Sequence, residues 1–567
     1  MRLSKTNYLA SMNKSIYIFF TASLLIFSCS QKSEFGNDIS TDSEQIIAGK
    51  VLFENNCSTC HNFQQNGIGP NLSGVSHSVE SEWIKRFIKD PAQVIDANDP
   101  RATALFKVYN TYMPPFPNLK EEDLDALLAY LHTYEALPDT IPQTGLKDPI
   151  SDSIPDSGIR LELEFYTQIP TSNPEPPLAK ITKLESESVS GRTFVSDQHG
   201  TLYELKNGKH SVYLPLKELR PKLVSKPGLA TGFGSYAFHP EFTKNGLLYT
   251  SHTEPAATLP ADFAYADSIN VKMQWVLTEW KTDNPETPTF QGEGREFMRI
   301  NVVTQIHGVQ ELAFNPTSKP GSEDYGLLYI ALGDGGAAES GFAFIPDHHG
   351  SKVWSSIMRI DPAGTDSKNG KYGIPASNPF ARQAGKAGEV YAYGFRNPNR
   401  VFWDEKGKML ATEIGHHNVE ELNLIEAGKF YGWPIREGTF IINPYGNMSD
   451  LFEIGDQDDK LDVVHPLIQI DHDEISAIIG GYFLTDGQLE GKWLFGDIPS
   501  GRLLFADLSD LNNIPPVQSW GIIYQGKEMS LQELCGSKRV DLKFGQDKTG
   551  QVYLMTKADG KIYKIKD

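Results

Sequence analysis

Hydrophobic positions change their spacing several times along this chain, and each change marks a different kind of segment. A cationic start gives way to an apolar run from Ile16 to Phe27, too short to span a bilayer comfortably. Ile46, Ile47, Val51 and Leu52 then fall at helical intervals, and a strongly periodic stretch from Glu121 to Tyr134 predicts a second helix. Between Tyr134 and Leu161 the periodicity disappears and Pro, Asp, Ser and Thr dominate, which predicts an extended linker that lets its flanking domains move. From Leu161 to Asp567 the pattern becomes short alternating runs, such as Arg192–Ser196, Gly246–Thr250 and Gly326–Ala331, divided by Gly, Asp and Asn turns.

About 400 residues of short strands exceed what one sandwich holds, so radial repetition is the better fit. A unit of the form Gly-x-Leu-Tyr recurs at Gly200–Tyr203, Gly407–Leu410, Gly501–Phe505 and Gly550–Leu554, each reading as an inner strand after a hairpin turn. At about 65 residues per four-stranded blade, six blades fit the length, and pattern alone leaves five or seven open. The predicted fold is multidomain, a small all-α domain followed by an all-β six-bladed propeller. Its boundaries are an export segment at 1–28, a tether at 29–42, the helical domain at 43–134, the linker at 135–160 and the propeller at 161–567.

The first predicted helix runs into Cys57-Ser58-Thr59-Cys60-His61, two thiols and an imidazole spaced to bind haem covalently and to ligate its iron. Structural zinc would want a second Cys pair, which the chain lacks, and a thioredoxin-like use would want a βαβ context. Gly67–Leu72 reads as a tight loop on the proximal side. Met113, in Tyr112-Met113-Pro114-Pro115-Phe116, is the natural sixth ligand, because a thioether raises the iron's potential and suits an electron acceptor; its other reading is loop packing. In motif order and size residues 43–134 resemble a class I cytochrome c, over about a sixth of the chain. The resemblance implies haem c on Cys57 and Cys60, with His61 and Met113 as axial ligands.

Leu25-Ile26-Phe27-Ser28-Cys29 places a small residue before a cysteine at the end of the apolar run, which looks like a bacterial lipobox with Cys29 as the lipidated residue; an ordinary signal peptide with an incidental Cys is the other reading. The expectation is an exported lipoprotein on the periplasmic or cell-surface face of a Gram-negative bacterium, held to a membrane by lipid. Attachment of c-type haem outside the cytoplasm, implied by the cytochrome resemblance, agrees. Of four cysteines only Cys535 then remains, so no intramolecular disulfide is expected. A formal charge of -20 argues against nucleic acid or an anionic lipid surface as a partner.

In the second domain, Gly232–Phe242, His307–Phe314 with Leu332–Gly336, Met358–Pro362, Tyr393–Pro398, Gly415–Asn423 and Tyr431–Pro434 occur in the order found in the glucose/sorbosone dehydrogenases. The series resembles the soluble quinoprotein aldose dehydrogenases, and this implies a six-bladed propeller that uses pyrroloquinoline quinone (PQQ) with calcium (Ca2+). By its place before the Leu-Ala-Phe strand, His307 matches the catalytic base, a role that suits a neutral imidazole. Arg396 and Asn397 match the pair that contacts the cofactor, the guanidinium polarising a quinone oxygen where charge develops. Gly415 and His416 fall where backbone carbonyls hold the calcium, and Lys538 and Arg539 where cations meet the cofactor's carboxylates.

Three positions depart from that family's pattern. Ala230 replaces a Gln, Ile306 replaces an Asp, and Ser500 stands for a Lys that Arg502 replaces only if its side chain faces inward. Tyr431 and Trp433 read as packing of a turn rather than as a cover for a flat cofactor. The pairs His348-His349 and His416-His417 invite a transition-metal reading, weakened because successive strand side chains point to opposite faces. The expected function is a lipid-anchored quinohaemoprotein that oxidises a hydroxyl of a sugar or related polyol and passes electrons to its own haem. A cytochrome or the respiratory chain would be the downstream acceptor. The competing reading is a non-catalytic propeller that binds a carbohydrate or a protein beside a separate haem redox domain, and a third is a dehydrogenase for a non-sugar alcohol.

Overall fold

A computed structural model describes residues 35–36, 38–58, 60–136, 145–174, 176–226, 230–455 and 461–566. The chain divides into two units, Met1–Glu34 and Phe35–Asp567. The expected export segment and Cys29 lie outside the described residues, and among the described residues no helix is long and apolar enough to cross a membrane.

Asp42 starts the first helix, Ser43–Asn56, by accepting from the amides of Glu44 and Gln45, each at 3.0 Å. The helix crosses Glu121–Leu131 at Gly49, where a Cβ would stand 1.8 Å from the Ala126 carbonyl oxygen, so only glycine permits this approach. Helices Val75–Ser78, Ser81–Lys89, Pro91–Asp96 and Pro100–Tyr109 complete the domain, whose core includes Phe53, Phe63, Ile84, Ile88 and Leu127. Ile47 and Val51 keep helical spacing yet lie exposed, the burial falling instead on Gly49 and Phe53.

The β part is a propeller of six four-stranded blades. Blade one runs Ile181–Ser186, Thr193–Asp197, Thr201–Lys206 and Lys209–Leu214, and blade two Phe233–Phe238, Leu247–Pro255, Met273–Thr282 and Gly292–Val302. Blade three is Val309–Phe314, Leu328–Leu332, Ser356–Ile360 and Val390–Tyr393; blade four is Pro398–Trp403, Met409–Glu413, Val419–Leu424 and Ile468–Asp471. Blade five is Ile478–Phe483, Trp493–Asp497, Leu503–Ala506 and Gln518–Tyr524. Blade six joins the two ends of the domain: Leu542–Gln546, Val552–Thr556 and Lys561–Lys566 take Asp156–Gln168 as their fourth strand. That strand also pairs in parallel with blade five, Leu161 opposite Ile522, and Ile181–Ser186 pairs in parallel with Leu542–Gln546. Blades five, six and one are thus one hydrogen-bonded sheet, which leaves no open edge at the seam.

The closing strand begins at Asp156, inside the stretch that reads as linker, because Asp156 already pairs with Ser519. Residues 145–155 lie along the propeller: the Leu146 amide donates to the Leu451 carbonyl at 2.8 Å, and the Ile150 amide to Asp471 Oδ2 at 3.2 Å. The first strand of each blade is the innermost, whereas the Gly-x-Leu-Tyr units form second or third strands. The innermost strands escape the apolar pattern because they carry charge to the propeller axis. There Lys183 pairs with Glu311, and Arg400 bridges Glu311 at 3.0 Å and Glu185 at 2.7 Å. Buried ions of this kind persist only when each is partnered.

Candidate active site and haem cavity

Cys57 caps the first helix, its amide donating to the Phe53 carbonyl, and the amides of Cys60 and His61 both return to the Cys57 carbonyl at 3.0 Å. This turn brings Cys57, Cys60 and His61 to the wall of one cavity, which Met113 also lines. The remaining wall is largely apolar and includes Trp83, Ile84, Phe87, Leu127 and Leu131. His61 Nδ1 donates to the Pro70 carbonyl at 2.9 Å, which fixes the tautomer and leaves Nε2 for a metal. Gly69 is required beside it, since a Cβ there would lie 2.4 Å from His61 Cε1. Burial lowers the imidazole's pKa and keeps it neutral, against the opposing effect of the Pro70 bond. Two thiols, an oriented imidazole and a thioether around an apolar cavity are the donor set that haem c takes, and the residues fit it.

The second cavity lies at the mouth of the propeller and is lined by His307, Arg396, Asn397, Gly415, His416 and Arg539 among others. His307 sits just before Val309–Phe314 with φ 53°, and its Nδ1 lies 2.7 Å from Asp334 Oδ1. Asp334 is fully buried and its Oδ2 accepts from Trp433 Nε1 at 3.1 Å, so Trp433 positions the carboxylate instead of covering a ligand. Among the described residues nothing bonds His307 Nε2. Burial, and after it the Arg396 charge, lower the His307 pKa.

Arg396 and Asn397 are set by Glu413 Oε1, which accepts the Asn397 amide at 2.7 Å and the Arg396 amide as well. The guanidinium pairs with Glu339, Nε to Oε1 at 2.9 Å, and also donates to the Gly415 carbonyl. His416 Nδ1 lies 3.2 Å from the same Glu339 oxygen. Burial alone would raise Glu339, but Arg396 and His416 outweigh it and hold its carboxyl well below the usual range. The loop carrying His416 is gathered by Glu437 Oε1, which accepts the amides of His416, His417, Asn418 and Val419 at 2.8 to 3.0 Å.

The cavity also has a cationic part, tempered by Asp541, which pairs with Arg539 at 2.8 Å. Lys180, Lys543 and Lys557 line it with Arg539, and burial pushes their ammonium groups down to about 8, about 8 and about 7. Lysines held so low are positioned for an anion that restores their charge. Two buried polar atoms in residues that line the cavity, Asn397 Oδ1 and His416 Nε2, have no partner among the described residues. This donor set fits a flat polycarboxylate such as the quinone. Calcium fits less well here, because the Gly415 carbonyl already accepts from a guanidinium.

Of the cations singled out in the sequence, Arg539 reaches the cavity, while Lys538 points to Asp96 of the helical domain at 3.3 Å. Arg502 is committed to Glu474 and to the Ile154 carbonyl and does not line the cavity. Ala230 and Ile306 line it as apolar wall, and Ser500 bonds Asp497. His348 is structural: Nε2 donates to the Trp354 carbonyl at 2.7 Å and Nδ1 accepts the Gly350 amide at 3.0 Å. Sequence reasoning missed Glu339, Glu437 and the three lysines. Asp334 was present in the Gly-Asp-Gly-Gly turn without an assigned role.

The two cavities share a wall. Ile68, Tyr109, Thr111 and Arg539 line both, and Arg539 donates to the Tyr112 carbonyl, one residue before Met113, at 3.3 Å. Four further hydrogen bonds hold the helical domain over the propeller mouth. Asn110 Nδ2 donates to the His472 and Asp473 carbonyls at 3.2 and 3.1 Å, Ser476 Oγ donates to the Asn110 carbonyl at 3.0 Å, and Gln65 Nε2 donates to the Glu339 carbonyl at 3.0 Å.

Residues 185–564 match the family described as Glucose / Sorbosone dehydrogenase, and residues 46–135 match Cytochrome c. The chain is 23% identical to the Hedgehog-interacting protein of Homo sapiens over 568 residues, 94% of this chain and 70% of that protein. It is 25% identical to quinoprotein glucose dehydrogenase B of Acinetobacter calcoaceticus over 231 residues, 38% of this chain and 42% of that protein. The crystal structure of the soluble aldose sugar dehydrogenase of Escherichia coli in its apo form matches with a TM-score of 0.50 at 16% identity, covering 71% of this chain and 99% of that one, a likeness of fold. Two further relatives, from Arabidopsis thaliana, match over 59% and 54% of this chain, which spans about half of their own length.

Proposed function

The chain belongs to the glucose/sorbosone dehydrogenase family, and from that premise we propose that it oxidises a sugar hydroxyl with PQQ and passes the electrons to its own haem c. The observation that carries the reading is the shared wall: the cavity holding His307 and the cavity holding His61 and Met113 have Ile68, Tyr109, Thr111 and Arg539 in common. When bound, the quinone supplies a carbon that accepts hydride and the haem an iron that takes electrons singly.

His307 Nε2 takes the proton of the substrate hydroxyl, since the ring is neutral and its Nδ1 proton is held by Asp334. Asp334 then stabilises the imidazolium that forms. Arg396 places positive charge beside the reacting atoms, tempered by Glu339. Lys180, Lys543, Lys557 and Arg539 would hold the carboxylates of the quinone, and Ile68 and Tyr109 would close the mouth against water. A calcium on the Gly415 and His416 carbonyls requires Arg396 to release Gly415. Anchoring through Cys29 on the outer side of a membrane, with an external cytochrome or the respiratory chain as final acceptor, completes the proposal.

A second reading, a propeller that binds a protein or carbohydrate without turnover, is favoured by the match to the Hedgehog-interacting protein over nearly the whole chain. The deciding measurement is the haem spectrum of the holoprotein supplied with calcium and PQQ, before and after aldoses are added without oxygen. Haem reduction that needs both quinone and sugar, and is lost in His307→Ala, is the expected result. A haem that stays oxidised throughout, with no quinone retained, would establish the binding propeller instead.

A further inference from the structure

Outside both cavities, the structure assigns a divalent-cation site, suited to calcium, to Asp148, Asp471 and Asp473. One carboxylate oxygen from each lies within 4.8 Å of the other two, the only such grouping of ligand side chains among the described residues. Acidic residues on a surface often cluster without an ion, but Asp471 is not on the surface, being 3% exposed. Its Oδ2 accepts the Ile150 amide at 3.2 Å, and its buried Oδ1 has no donor among the described residues. A buried carboxylate oxygen without a donor, in a residue set beside two more carboxylates, gains a partner when a cation joins them.

The donors select the ion. Three carboxylates with no nitrogen or sulfur among them suit a hard cation. One ligand is buried and two are exposed, so water completes the shell, and carboxylate oxygens spread over as much as 4.8 Å suit the longer, adaptable bonds of calcium better than the strict octahedron of magnesium.

The location gives the site a consequence. Asp148 belongs to the segment joining the two domains, and Asp471 ends the outer strand of blade four, Ile468–Asp471. Asp473 lies in the loop whose carbonyls at His472 and Asp473 and hydroxyl at Ser476 grip Asn110 of the helical domain. A bound calcium therefore ties the joining segment to the loop that holds the haem domain over the propeller mouth.

The test is calorimetric titration of Ca2+ into the haem-loaded, quinone-free full chain and into Asp148→Asn and Asp473→Asn, both exposed positions that spare the buried carboxylate. The wild type should take up one calcium more than either variant, so any calcium held by Gly415 cancels from the comparison. Thermal melts supply a second readout. In chelator each variant should melt no lower than wild type, because it loses one of three repelling charges, and in Ca2+ each should melt lower. Equal calcium uptake by all three proteins, or variants destabilised to the same extent in chelator and in Ca2+, would overturn the site.

Discussion

His307 Nδ1 lies 2.7 Å from Asp334 Oδ1, and the other Asp334 oxygen is held by Trp433 at 3.1 Å, so the imidazole, the carboxylate and the indole form one buried chain behind the propeller mouth. The chain fixes which imidazole nitrogen carries the proton and leaves Nε2 facing the substrate as acceptor. Asp334→Asn preserves the size of the side chain but offers His307 an amide donor, which favours the wrong tautomer. Turnover should fall by about 10²- to 10⁴-fold with little change in KM, because the group lost acts on the proton transfer and not on binding. Haem reduction measured under single-turnover conditions checks it, and an unchanged rate would remove Asp334 from the mechanism.

The acidity of His307 sets the pH dependence. Burial and then Arg396 hold it below the ordinary imidazole value of 6.5, so the neutral base survives into mildly acid solution. The dependence of kcat/KM on pH should stay flat from neutrality down through about 6.5 and fall only at lower pH. Arg396→Gln removes the second cause, so the acid limb should shift upward while burial keeps it under the ordinary value. A wild-type limb at or above about 6.5 would show that the titrating base is another group.

How much of this was legible in the sequence depended on whether the chemistry was contiguous. Cys57, Cys60 and His61 occupy one turn, and their spacing alone implies the cavity that Met113 completes from a distant loop. The blades were legible because second and third strands carry short apolar runs between turns, as in Leu328–Leu332 and Val552–Met555. The cationic wall was not. Lys543 alternates with Leu542 and Phe544 as a solvent-facing residue of an outer strand would, and only its place on an innermost strand turns it into the cavity. Lys538, three residues beyond the helix Leu531–Cys535 and next to Arg539, looked equivalent to it, yet the two side chains point in different directions. Glu339 gave no local signal at all, since its role depends on Arg396 and His416 from another blade.

The lysine wall predicts a proton count. Lys557, Lys180 and Lys543 titrate near neutrality, at about 7, about 8 and about 8, with burial as the first cause in each. A bound polycarboxylate favours their charged forms and raises these values, so quinone binding at about pH 8 should take protons up from solution. Calorimetry in two buffers of different ionisation enthalpy measures the uptake directly. Lys557→Met should reduce it and weaken quinone binding by about tenfold, which corresponds to about 1.4 kcal/mol. Binding without proton uptake would mean that the quinone's carboxylates meet other groups.

Asn110 separates chemistry from electron delivery. It ends the helix Pro100–Tyr109 in the left-handed conformation, φ 44°, and its side chain donates to the carbonyls of His472 and Asp473. Asn110→Gly keeps the backbone conformation, which glycine adopts without strain, and deletes only the side-chain bonds. Two net hydrogen bonds are worth about 1–3 kcal/mol, enough to lower the population of the docked haem domain by about tenfold or more where docking is marginal. Reduction of the chain's own haem after mixing with sugar should slow accordingly. Oxidation of the same sugar with a soluble dye that takes electrons from the propeller should slow less than haem reduction, because His307, Asp334 and Arg396 are unaltered and only the closure by Ile68 and Tyr109 is loosened. If haem reduction kept its wild-type rate in Asn110→Gly, electron delivery would not depend on this contact, and the grip of the 472–476 loop would be structural alone.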